Sequence, residues 1–432
     1  MGDIILTEPD RASAMRNAIF AQCAGTLAQL LFKNGFMMAY LYEQGLASNW
    51  ILVLLTIPDL LLFMFTMPSA YISDRIGRKK IGLAGLSVTI IGFATIAASS
   101  AVPATAVMPV FVIGALCFGA GNAAFTSSWF ALLSPIIPEN LRGRFFGRLR
   151  TSWQAVAIAF SFIVTAALSA CPGLATFRML LFFIAFMAAV RMFFYARIPQ
   201  VEGATVDESG FSGALGAVMR VPGYMPFCAY VFLITLFTGA CPWLFGLLQK
   251  DTLGFTGDRL VLMGNLLAIG TLTGFTFAGR LVDRLGTKPV FLVNHFAYAT
   301  ILFMFPLRAY FPVSADVTIG GLSFLFGICI AGTSIAVSTE MLGLIPARNK
   351  ALSTAFISTL LAAGASLSGI LSSRILALGV LAPEWTFAGH TAGVYDTMLV
   401  GCGIMILLLV VTLGLIPSVI RPAQWVPNGS QT

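Results

Sequence analysis

The side chains best placed to do chemistry are a lysine and an aspartate lodged in runs otherwise composed for lipid. Lys33 interrupts LLFKNGFMMAY, residues 31–41, and a lysine near a bilayer centre costs about 2.5–3.5 kcal/mol even on lenient scales. It belongs to a polar stripe, Gln22, Thr26, Gln29, Lys33 and Tyr40, with spacings of 4, 3, 4 and 7 that share one helical face. Such a face should look into the protein interior or a water-filled cavity. Hydrogen bonding between helices accounts for Gln22 and Thr26; it does not account for a lysine. Asp59 follows Pro58 in the next run, where the proline ring removes the bond to the Leu54 carbonyl and loosens the helix. Each charge lies about ten residues from the outer end of its run, or about 15 Å at the helical rise, near the middle of a core about 30 Å thick. Two charges at one depth either pair or share a cavity. In the first case they are a static ion pair; in the second, Asp59 is a candidate proton acceptor and Lys33 a partner for an anion.

Other polar groups are less specific. Asn122, Thr126 and Trp129 share a face in the fourth apolar run, and the fifth offers Gln154, Ser161 and Thr165; each set could line a pocket or join helices. Asn34, about 100° round from Lys33, reads as packing. Trp243 could stack on a substrate, but its closeness to Lys250 favours an interfacial anchor. Asp396 and His390 fall near an outer end and are expected to be wet. The seven cysteines form no C-x-x-C and the two histidines stand apart, so neither a metal nor a cofactor is expected. Gly119-Ala120-Gly121-Asn122-Ala123-Ala124 imitates a dinucleotide fingerprint, but it lies inside an apolar run where that motif needs a strand before it; close helix packing is the better reading.

What must hold these residues is a set of membrane helices. The 432-residue chain is 58% hydrophobic and 10% charged, against about 25% charged in soluble domains. The polar opening residues, followed by an apolar run too long for a signal core, predict a retained first segment. Runs long enough to span a bilayer lie at about 17–42, 49–72, 81–101, 106–133, 151–171, 175–195, 224–248, 259–280, 288–310, 317–343, 352–374 and 393–416. With the N-terminus inside, most of the 25 lysines and arginines, Arg191 among them, fall on the cytoplasmic side, while Arg178, Lys250, Arg259, Arg308 and Arg374 fall opposite. The positive-inside rule therefore puts both termini in the cytoplasm. The net charge of +8 reflects this orientation and implies no nucleic-acid partner. The halves repeat: SDRIGRKK at 73–80 matches VDRLGTKP at 282–289, and Phe118-Gly119 with Pro138 matches Phe326-Gly327 with Pro346. Two landmarks in one register predict duplicated units: a six-helix bundle over 1–196, a cytoplasmic linker over 197–222 and a second six-helix bundle over 223–432.

In these motifs the chain resembles the major facilitator superfamily over nearly its whole length. The signature loop after the second run, G-x-x-x-D-R-x-G-R-K/R, is matched by Asp74, Arg75, Gly77, Arg78 and Lys79, and after the eighth by Asp283, Arg284 and Gly286, with Thr287 in place of a basic residue. The loop after the fourth run supplies Pro138, Arg142 and Gly143. The resemblance implies an all-α fold of twelve transmembrane helices in two pseudo-symmetric bundles. It also implies that these loop groups, joined by Glu340 near Arg280 and Arg284, are gating residues rather than substrate ligands. A drug-antiporter arginine in the fourth run, a Gly-Pro in the fifth and the sugar-porter P-E-S-P-R are all missing.

The combined expectation is a monomeric, multi-pass protein of the plasma or inner membrane, and not an enzyme. It would carry a small, anionic or zwitterionic solute by alternating access, driven by protons through Asp59. Passive facilitation on the same fold, or export of a drug or metabolite, is the alternative.

Overall fold

The computed structural model describes residues 7–133, 135–137, 142–201, 213, 215–216, 219–344, 350–387 and 389–414. The first half contains α1 (Glu8–Lys33), α2 (Phe36–Glu43), α3 (Ser48–Ile76), α4 (Arg78–Ala98), α5 (Ala104–Leu133), α6 (Arg142–Ala170) and α7 (Leu174–Ala196). The second contains α8 (Tyr224–Thr238), α9 (Cys241–Leu247), α10 (Gly257–Leu285), α11 (Thr287–Met304), α12 (Ala315–Leu344), α13 (Lys350–Leu378) and α14 (Val394–Leu409). A two-stranded antiparallel hairpin, β1 (Glu384–Phe387) with β2 (His390–Gly393), precedes α14.

Among the described residues, ten helical segments are long and apolar enough to cross a membrane. The other two expected runs fall short for reasons visible in their residues. The first begins with Glu8, Asp10, Arg11 and Arg16 and is broken after Lys33, and α11 has only 18 residues, which include Lys288, Asn294 and His295. Most of the linker expected at 197–222 lies outside the described residues, as do Pro138 and Pro346.

Helix packing follows the repeat. In the first half α3 and α4 pack on α5, α4 and α1 on α7, and α1 on α6. The second half reproduces each pairing, with α10 and α11 on α12, α11 and α8 on α14, and α8 on α13. Glycine makes the approaches close enough. A Cβ on Gly119 would meet Leu61 at 2.7 Å and Pro58 at 3.1 Å, and one on Gly327 would meet the Leu267 carbonyl at 2.1 Å; these are corresponding positions in the two copies. The halves touch mainly through α3 with α13 and α6 with α10, two contacts that the repeat exchanges.

The turns after α3 and α10 are single glycines. Gly77 (φ +119°) and Gly286 (φ +82°) hold a backbone region costly for other L-residues, which lets one helix end and the next begin with no further residue between them.

Candidate functional site

Both first helices of the repeats are discontinuous. Span one stops at Lys33 and restarts at Phe36, with Gly35 at φ +83°. A Cβ on Gly35 would lie 3.0 Å from the Leu260 carbonyl of α10, so both its backbone and its neighbour call for glycine. Span seven is interrupted within about one turn of the corresponding position, at Gly239-Ala240, where the backbone stays right-handed, and Pro242 opens α9; at such a helix start proline's missing N–H forfeits no helical bond. The break is capped from the neighbouring helix, because Ala240 N donates to Ser368 Oγ of α13 at 2.9 Å.

The two breaks flank one cavity of about 30 Å³, lined from both halves by Phe32, Lys33, Gly35, Leu55, Trp243 and Gln249, with Ser323 of α12 and apolar side chains completing the wall. Its volume is that of about two waters. Lys33 is exposed, whereas Gln249 and Ser323 are 3% and 2% exposed. The side chains of all three have no hydrogen-bond or ion-pair partner among the described residues.

Polar groups join the halves beside and above this cavity. Asn34 is buried and donates through Nδ2 to Ser161 Oγ of α6 at 2.8 Å. Ser161 Oγ donates in turn to Asn265 Oδ1 of α10, whose Nδ2 donates to Thr165 Oγ1 at 3.1 Å. Gly264 leaves room for the Asn34 carbonyl, which a Cβ there would meet at 2.4 Å. Past the end of α9, the Asp251 carboxylate accepts from Tyr42 Oη (2.9 Å), Ser48 Oγ (2.7 Å) and Tyr395 Oη. Ser373 Oγ donates to the Asn49 carbonyl at 2.9 Å.

Several expectations change. The stripe through Tyr40 assumed a continuous helix; the break rephases α2, and Tyr40 is fully buried in the first half, its hydroxyl 2.7 Å from Ser99 Oγ. Trp129 also leaves the cavity, stacking on Tyr195 and tilting against Phe125 within that half. Lys33 and Asp59 form no ion pair: Asp59 is half-buried in mid-α3, one turn inward of Thr56, which packs at Gly369 of α13. Gln29 Nε2 donates to Asn122 Oδ1 at 2.9 Å, linking α1 to α5; Thr126 and Gln154 are half-buried. Trp243 is no interfacial anchor. Only 7% exposed, it lines the cavity and donates through Nε1 to the Phe32 carbonyl at 3.4 Å. Asp396 is not wet but fully buried, in a bidentate pair with Arg308. Arg191 is no loop charge either. It is 3% exposed inside α7, its guanidinium 3.7 Å from the Phe125 ring and packed over Gly25, where any Cβ would overlap it.

At the turns after α3 and α10, Arg75 lies 4.2 Å over the Tyr71 ring and Arg284 is exposed. Lys79 N donates to Gln200 Oε1 at 3.3 Å, Arg78 is half-buried and Glu340 is buried on α12. The side chains of Asp74, Arg142, Asp283 and His390 lie outside the described residues.

Comparison with known proteins agrees with this architecture. The family model described as Major Facilitator Superfamily matches residues 18–369. No curated protein matches the chain in sequence. Solved structures do match in fold. A nucleoside transporter, NupG, aligns with TM-score 0.66 at 14% identity, covering 94% of this chain and 98% of its own. A POT family transporter in complex with 5-aminolevulinic acid aligns with TM-score 0.71 at 12% identity, covering 94% and 96%. A D-xylose-proton symporter aligns with TM-score 0.69 at 12% identity, covering 91% and 97%.

Proposed function

The chain belongs to the major facilitator superfamily, a family of membrane transporters and not of enzymes, and from that premise we propose that it is a proton-coupled secondary transporter of a small solute. The observation that carries this reading is the pair of interrupted helices, one in each repeat, meeting at a cavity that holds a lysine without a partner among the described residues. Discontinuous helices at matching places in two repeats mark substrate sites in transporters, because the freed backbone and the helix ends can meet a ligand there.

Twelve spans, with both termini and the linker in the cytoplasm of a plasma or inner membrane, is the topology we adopt, with 1–196 and 223–432 as the moving bundles. The bonds around Asp251 then clasp the bundles on the outer side. The loops bearing Asp74, Arg75, Gly77, Arg78, Lys79 and Arg142, and those bearing Asp283, Arg284 and Gly286 with nearby Glu340, form the inner gate. Alternation between these two closures carries solute past Lys33. Similarity in fold to a proton symporter, and an intramembrane carboxylate without an ion-pair partner among the described residues, support Asp59 as the proton site.

The test is uptake into proteoliposomes under an imposed pH gradient, using the solutes that raise the melting temperature of the purified protein. Asp59→Asn is expected to abolish accumulation above equilibrium while leaving exchange of labelled for unlabelled solute intact. Full accumulation by the variant would remove Asp59 from the mechanism and favour passive facilitation.

A further inference from the structure

We infer that the cavity between the two helix breaks selects a monoanion, a carboxylate head group carried on an apolar body; this rests on the transport reading above and narrows it to one charge class. Three polar groups converge there without partners among the described residues: the Lys33 ammonium, the Gln249 carboxamide and the Ser323 hydroxyl. Gln249 and Ser323 are nine-tenths or more buried, and a buried amide or hydroxyl left without a bond costs about 1–3 kcal/mol. Such groups held open toward one small space point to a ligand that completes them.

The signs of the lining groups select the ligand. The wall has one cation and, among its described residues, no aspartate or glutamate. Asp251, two residues beyond Gln249, is already taken by three hydroxyl groups, and Asp59 is not in the wall. An ammonium entering here would meet a like charge with no carboxylate to balance it. A carboxylate would meet Lys33 as counterion and could accept from Gln249 Nε2 and Ser323 Oγ. Gly35 sits in the same wall and opens α2, whose N-terminal end carries partial positive charge.

Size and polarity set the rest. A volume near 30 Å³ admits a head group and not a whole metabolite, so the body must extend past exposed Lys33 when the bundles part. The remaining wall, Phe32, Met38, Trp243, Phe245 and Met263 among others, is apolar and aromatic, which suits a hydrocarbon body better than a second charge.

The experiment pairs each acid with its uncharged amide. Thermal unfolding of the purified protein, followed by intrinsic fluorescence, is measured with acetate, butyrate, benzoate and phenylacetate, and then with acetamide, butyramide, benzamide and phenylacetamide. Phenethylamine, phenylalanine, xylose and uridine complete the set. The expected result is protection by at least one of the larger carboxylates, at a concentration at least tenfold below that needed of its amide, with no protection by the amine. Lys33→Met should remove that protection, and Lys33→Arg, which keeps the charge, should retain part of it. Should Lys33→Met fail to fold, Gln249→Leu and Ser323→Ala provide the same reading, each weakening the carboxylate severalfold. No protection by any carboxylate, or equal protection by acid and amide, overturns the assignment. Protection by xylose, uridine or phenylalanine that survives Lys33→Met also overturns it while leaving the transport reading standing.

Discussion

The two helix breaks are made by different means and bring different chemistry to the same place. In span one the interruption is polar and stapled to its surroundings. Gly35 takes a positive φ, Asn34 bonds across to α6 and through Ser161 to α10, and Lys33 is left at the end of α1. In span seven the interruption is made by the backbone: Pro242 supplies no N–H, Ser368 caps Ala240, and the side chains delivered to the cavity are an indole and a carboxamide. One repeat thus contributes the charge and the other a neutral, largely aromatic wall. The two repeats share the mechanical device and differ in chemistry, as they do at the position matching Asp59, where the second has Ala268.

The sharpest way to break the comparison is to crowd the staple. Gly264→Val would drive side-chain atoms into the Asn34 carbonyl, already 2.4 Å from the first carbon added. Overpacking of this kind costs about 1–3 kcal/mol, and the loss should appear as a drop in melting temperature and a separation of α1 from α10 in crosslinking. Next comes Asn34→Leu, which takes a buried partner from Ser161 Oγ and from the Phe36 N–H, at about 1–3 kcal/mol. The matched change in the other repeat, Pro242→Ala, is expected to alter stability by less than about 1 kcal/mol, because proline already occupies a helix start there. Equal effects of these two variants would show that the breaks do not differ in the way described. The smallest effect should come from Asp251→Asn, an exposed group whose three hydroxyl donors remain partly satisfied by an amide oxygen. It is expected to show as faster hydrogen exchange over residues 42–50 and 248–256 with little change in melting temperature.

Much of the architecture was legible because it rests on local signals. Apolar runs of fixed length, the basic turns, and the Gly77 and Gly286 landmarks all announce themselves in a single sequence. The breaks did not. A lysine, an asparagine and a glycine in a row look like odd side chains, and only the backbone at Gly35 makes them the end of a helix. Tyr40 was misplaced for that reason, since a seven-residue spacing has no meaning across a break. Asn34, Ser161 and Asn265 are ordinary polar residues in three separate runs, and their joint role depends on which helices become neighbours. The same holds for Asp396, whose burial depends on Arg308 in another helix.

Arg191 sets a constraint on how the protein is made. A guanidinium five residues inside the end of a nascent hydrophobic segment still disfavours insertion, by less than the about 2.5–3.5 kcal/mol of a helix centre, and α7 alone has nothing to shelter it. Its shelter is the Phe125 ring of α5 and the bare backbone at Gly25 of α1, both of which emerge earlier from the ribosome. Helix α7 therefore enters a membrane that already contains its receptor. Gly25→Leu should accordingly be read out as failed maturation of the first six spans during biosynthesis, before transport is ever at issue.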